Sequence, residues 1–141
     1  MTRLIRRSLW ILFALLLPAL GSADDLKNQN LLLCAAVTAM HCEDEGQCKV
    51  DLPWNLNIPQ FVVVNLEKKT LSTTKASGEN RSTPIRSVQR EAGQIVLQGL
   101  EGGRAYSFVI DEESGLMSVA VATDGKVVSV FGACTPYAQE K

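Results

Sequence analysis

Four cysteines and a single histidine are the residues of this chain best suited to chemistry. Cys34, Cys42 and Cys48 lie close together, and Cys134 stands far downstream. Such a set could bind a metal, run redox chemistry or form crosslinks. Zinc wants two close cysteine pairs, or histidines at defined spacing. The close pair here is Cys-x5-Cys, and His41 is the sole histidine. A thioredoxin-type centre wants Cys-x-x-Cys, which is absent. An even count in an exported chain therefore reads as two disulfides. Sequence leaves three pairings open. Cys42 and Cys48 flank a polar segment whose Gly46 can turn the chain back. Cys34 and Cys134 bracket the β-rich region, so their bond would join first and last strands. The favoured pairing is Cys42–Cys48 with Cys34–Cys134.

Other catalytic patterns fail on residue type or spacing. A hydrolase triad would need His41, and no serine sits in a Gly-x-Ser-x-Gly elbow. The acidic groups Glu43, Asp44, Glu45 and Asp111, Glu112, Glu113 lack the alternating ligand spacing of a calcium loop, so both read as solvated turns. Glu101-Gly102-Gly103-Arg104 joins strand to strand, with no helix N-terminus behind it to cradle a phosphate. The chain thus reads as non-enzymatic, with no cofactor, no metal site and no catalytic residue. The one hint of a ligand site is aromatic. Tyr106 and Phe108 share a strand face, which in a closed barrel lines an interior that is filled or holds a small apolar ligand. Trp54 sits in a connector, where it either stacks on a ligand or anchors packing. With Leu56 and Ile58 it is expected to plug one end of the core.

These residues must be positioned by strands. Gln94–Gly99, Arg104–Ile110, Leu116–Ala122 and Lys126–Phe131 are apolar runs divided by Gly-centred punctuation, the pattern of a β-meander. Tyr106, Phe108 and Ile110 alternate with Ala105, Ser107 and Val109; Met117, Val119 and Val121 alternate with Ser118, Ala120 and Ala122. Val128, Val130 and Gly132 share a face with Cys134. Asp124-Gly125 predicts a two-residue type I′ hairpin. Upstream, Phe61–Leu66 is a strand by β-branched content. Thr70–Thr74 returns as a polar strand, and Pro84–Arg90 is a further polar strand beginning at its proline. Leu31–Met40 is ambiguous; a strand from Leu33 to Cys42 is expected, with a short helix over Asp25–Leu32 leading into it as an option. Asp51–Pro59, with two prolines and two asparagines, is a connector. The fold class is all-β: a small antiparallel meander barrel or sandwich of eight or nine strands, stapled by disulfides.

The N-terminus sets the compartment. Arg3, Arg6 and Arg7 precede an apolar run from Leu9 to Leu17; Pro18 breaks it, and Gly21-Ser22-Ala23 follows. This is the plan of a secretory signal peptide over residues 1–23, cut after Ala23. The run is shorter than the roughly 20 residues that span a bilayer, so stable membrane insertion after cleavage is not expected. The first cysteine is too far on for lipidation, and Arg6-Arg7 matches the twin-arginine pattern only partly. Residues 24–30 read as a flexible lead-in, 31–136 as one β domain and 137–141 as a tail. Removing residues 1–23 takes three of the 14 basic residues and none of the 15 acidic ones, which leaves 11 against 15, a net charge of −4. That balance disfavours nucleic acid and anionic lipid as partners. Asn80-Arg81-Ser82 fits a glycosylation sequon, which a bacterial periplasm would not use.

Three segments carry a family likeness: Leu56-Asn57-Ile58-Pro59-Gln60-Phe61, then Leu97 through Tyr106, and Phe131-Gly132-Ala133-Cys134-Thr135-Pro136. With the acidic turn Asp111–Met117 they resemble a family of small uncharacterised exported proteins of Gram-negative proteobacteria. That family often carries Trp at the place of Tyr106. The resemblance implies export to the periplasm and one small domain, and it brings no activity, cofactor or catalytic residue. A more distant similarity of size, compartment and class is to bacterial lysozyme inhibitors, without their Ser-Gly-x-x-Tyr motif. The functional expectation is a periplasmic binding module for a protein or a small apolar ligand. The alternatives are an inhibitor of an envelope (muralytic) enzyme that presents Glu101–Arg104, and an enzyme with an unrecognised site.

Overall fold

A computed structural model describes residues 25–138. The expected signal segment, residues 1–23, and residues 139–141 of the tail lie outside the described residues. Ten strands form: β1 (Leu31–Glu43), β2 (Cys48–Asp51), β3 (Phe61–Asn65), β4 (Thr70–Thr73), β5 (Ser82–Pro84), β6 (Ser87–Glu91), β7 (Gln94–Glu101), β8 (Arg104–Asp111), β9 (Leu116–Thr123) and β10 (Lys126–Pro136). Two short 3-10 helices, Pro53–Leu56 and Lys75–Ser77, lie in connectors. Among the described residues no helix is long and apolar enough to cross a membrane.

All pairings are antiparallel, in the order β5-β4-β3-β1-β10-β9-β8-β7-β6, with β2 attached to β1 beside β3. The sheet curls into a meander half-barrel of nine strands. Its two edge strands, β5 and β6, are consecutive in sequence and separated only by Ile85 and Arg86. The polar strand expected over Pro84–Arg90 is therefore split, with Pro84 closing β5 rather than opening the strand. Ile85 donates its N–H to Lys69 O on one side, and Arg86 donates to Gln98 O on the other. One bent segment thus serves both edges.

The alternation in the meander sets the core. Ile95, Leu97, Tyr106, Phe108, Ile110, Met117 and Val119 are buried, as period two requires. β1 runs three residues further than expected, from Leu31 to Glu43, and the described residues before it, 25–30, hold no helix. A bulge at Val37 shifts its register against β10, so Ala36 faces Gly132 and Thr38 faces Phe131. The Asp124-Gly125 hairpin has two residues as expected, but it is not type I′. Positive φ is confined to Gly125 (68°), whereas type I′ needs it at both central residues. That condition is met at Ala92-Gly93 and at Gly102-Gly103.

The segment expected as a flexible lead-in, residues 24–30, is described from residue 25 and packs on the domain. Leu26 is fully buried, its N–H donates to Glu112 O, and Leu66 N–H donates to Asn30 O. An apolar side chain with a place in the core holds the segment down, whatever the polarity of its neighbours.

Both disulfides are present, Cys34–Cys134 and Cys42–Cys48, and no free cysteine is found among the described residues. Each joins directly opposed residues, Cys34 against Cys134 across β1 and β10 and Cys42 against Cys48 across β1 and β2. First and last strands are tied as neighbours, as the pairing argument requires. Two disulfides fit an oxidising compartment outside the cytoplasm.

Candidate functional site: a cavity in the half-barrel

The curl of the sheet leaves a cavity of about 150 Å³ on its concave side. Eight strands supply its wall, with residues that include Ala36, Val62, Leu71, Val119, Val121 and Val130. Leu56 and Ile58 cap it from the connector before β3. Tyr106 and Phe108, two residues apart on β8, both line it, with ring centroids 5.8 Å apart and planes at 82°. This edge-to-face geometry fixes both rings. Cys34 is in the wall as well, and Met117 Sδ lies 3.7 Å from Cys134 Sγ, so the buried disulfide sits against the cavity.

Tyr106 reaches across the sheet edge. Its hydroxyl donates to Pro84 O at 2.7 Å. The ring crosses directly over Gly99, its partner on β7, where an added Cβ would lie 2.2 Å from the phenolic oxygen. Glycine is required there by close approach. Burial pushes the Tyr106 phenol above its ordinary pKa; the charge of Glu101 adds to the shift and Arg86 opposes it.

Polar residues gather at one end of the cavity. Glu101 accepts from the buried Thr83 hydroxyl at 2.8 Å, and lies 3.7 Å from both Arg81 and Arg104. Arg81 also donates to Asn57 O at 3.1 Å and approaches Glu79 at 3.7 Å. Among the described residues the guanidinium of Arg104 has two contacts, both with Glu101: Nε to the backbone oxygen at 3.5 Å and Nη2 to the carboxylate at 3.7 Å. All three side chains are partly exposed, so these residues form a mouth between the apolar wall and solvent.

The opposite end of the strands is packed. Leu26 is fully buried there without lining the cavity, and Arg90 pairs with Glu112 at 2.7 Å while also donating to Gln29 O. This corrects the reading of Asp111–Glu113 as a wholly solvated turn, because Glu112 is only 9% exposed. Burial of a carboxylate demands a partner, and Arg90 on β6 supplies one. Asp111 does stay at the surface. The Ser114 hydroxyl and N–H hold its carboxyl below the usual carboxylate range.

The three aromatics named from sequence are thus divided. Tyr106 and Phe108 meet in the cavity; Trp54 does not, and it does not plug the core. It is 53% exposed, in an outer groove with Phe61, Gln60, Thr74 and Glu79. Pro53 takes the buried place, and Leu56 and Ile58 pack on the core as expected. The 3-10 turn ending at Asn57 (φ 57°) rotates Trp54 outward. The outer groove is roomy, about 560 Å³, but its lining is part polar and part apolar. His41 lies on β1 opposite Lys49 and Val128, and its buried Nδ1 has no hydrogen-bond partner. Among the described residues no cluster of His, Cys, Asp and Glu is placed to hold a metal. Arg81 and Thr83 carried no sequence signal for the mouth, because strand order alone brings them to Glu101. A comparison with protein-family models finds no match, and a comparison with curated proteins finds none.

Proposed function

We propose that this protein is a non-enzymatic binding module of the bacterial periplasm that holds a small apolar ligand within its half-barrel. The observation that carries this reading is the cavity itself: apolar walls, a fixed Tyr106–Phe108 pair, and polar groups confined to one end. Ligand sites of this kind are concave, mostly apolar and oriented by a few polar groups. Glu101 is the one carboxylate among the described lining residues, and Thr83 and two arginines engage it. That occupation favours binding over acid–base chemistry. The periplasmic assignment, and membership of the proteobacterial exported family, draw support from the signal-like N-terminus, the three segments that resemble that family and the oxidised cysteines. The inhibitor alternative has no observation of its own, since Glu101 and Arg104 turn towards each other and the mouth.

Native mass spectrometry of protein exported to a bacterial periplasm tests the reading. An adduct released on denaturation, and lost in a Val119→Phe variant that fills the cavity, is the expected result. A bare mass, together with no uptake of apolar probes such as benzene or 1-hexanol, overturns it.

A further inference from the structure

Resting on that reading, we infer that the cavity selects a carboxylate amphiphile of short apolar tail, with its tail inside and its carboxylate on Arg104. Three observations lead there. The first is volume. An apolar cavity of about 150 Å³ matches a benzene-sized guest, so the tail is a ring or a chain of roughly six carbons and not a full-length lipid chain. The second is the one-sided placement of polarity. The far end of the strands is packed by Leu26 and the Arg90–Glu112 pair, whereas the charged lining groups Arg81, Glu101 and Arg104 stand with Thr83 at the other end, where a guest's polar head would meet partners.

The third is the state of the two guanidinium groups. A guanidinium offers five N–H donors in a planar fork. Arg81 is occupied by Asn57 O, Glu79 and Glu101. Among the described residues Arg104 makes two long contacts, at 3.5 and 3.7 Å, and both go to Glu101 on its own hairpin. Most of its fork is free at the lip of the cavity. A planar carboxylate is the acceptor that matches such a fork bidentately. Glu101 competes for the same arginine, at a distance longer than a good charge-assisted bond. Its alternative partner, the Thr83 hydroxyl at 2.8 Å, lets it give up Arg104 without being orphaned.

The test is an NMR titration of the isotope-labelled full-length mature protein with hexanoate and with 1-hexanol, which share tail length and differ in the head. Hexanoate is expected to bind about tenfold tighter, the scale of one charge-assisted contact. Arg104→Gln should remove that preference and leave hexanol binding intact. Glu101→Gln should strengthen hexanoate binding by removing the competitor. Equal affinity for the two compounds, or a preference that survives Arg104→Gln, overturns the carboxylate assignment while the cavity reading stands. Binding of benzene without either hexyl compound does the same. If none of the three binds and Val119→Phe changes nothing, the cavity reading falls with it.

Discussion

The two ends of the half-barrel are built from similar parts and do different work. Each holds a Glu–Arg contact, a turn and an inserted apolar segment. At the closed end the insertion is Leu26, fully buried, and the ion pair is short, with Glu112 largely sheltered from water. At the open end Leu56 and Ile58 are only partly buried, and the Arg81–Glu101–Arg104 contacts are long and exposed. A sheltered carboxylate is costly to leave without its partner, even where the partner, as here, is itself exposed. An exposed pair of this geometry contributes little to stability. The closed end therefore reads as the part that holds the fold, and the open end as the part left free to meet a ligand. The disulfides follow the same division. Cys34–Cys134 is buried in the shared core, while Cys42–Cys48 staples an exposed hairpin beyond the open end.

That contrast can be broken by experiment, starting with the largest effect. Replacing Cys34 and Cys134 together by alanine should cost about 4–5 kcal/mol on the chain-entropy account for a loop of roughly 100 residues, and replacing Cys42 and Cys48 should cost roughly 2. Urea midpoints decide, and equal losses would contradict the division. Next comes Leu26→Ala, expected to lose about 2–4 kcal/mol by transfer and cavity terms, with hexanol binding at the other end unchanged. A loss under about 0.5 kcal/mol, the level of an ordinary surface change, would mean the closed end is not a plug.

Gly99→Ala drives a methyl group into the Tyr106 ring and should cost about 1–3 kcal/mol. It should also disturb the cavity wall, so binding of apolar probes should weaken in step with stability. Retained binding would show that the ring can leave Gly99 without reshaping the wall. Glu101→Gln, at the mouth, should change stability by no more than about 1 kcal/mol. A larger loss would make the mouth a structural element after all.

The smallest effect is a pH dependence. Ser114 holds the Asp111 carboxyl below its ordinary value. Its contribution is therefore present above the ordinary aspartate pKa and lost as pH falls through the lowered one. The difference in Tm between the wild type and Asp111→Ala should be greatest near neutrality and vanish in acid. A difference constant across pH would remove Asp111 from the account of that turn.

Much of this architecture was legible in the chain because it is local. Period-two alternation told which of Tyr106, Ser107 and Phe108 face inward, since a strand places successive side chains on opposite faces. Glycines marked the hairpins, and an even cysteine count with one short polar spacer favoured the pairing that forms. What failed, failed where a distant partner decides. Trp54 looked like a plug because its size suits burial, yet the turn through Asn57 hands that place to Pro53. Glu112 looked solvated because its neighbours are acidic, yet Arg90, 22 residues earlier, draws it inside. Residues 25–30 looked frayed because one leucine among polar residues gives no periodic signal. Asp124-Gly125 has the composition of a type I′ turn but not its dihedrals.

The sequence by itself determined the four strands of the C-terminal meander, their alternating faces, the favoured disulfide pairing and the expectation of export, because each follows from residue type at short range. Only the tertiary structure decided that the sheet curls around a cavity, that β5 and β6 occupy its two edges, and that Arg81, Thr83, Glu101 and Arg104 meet at one mouth. Those are relations among residues far apart in sequence, and strand order, which no local pattern encodes, is what brings them together.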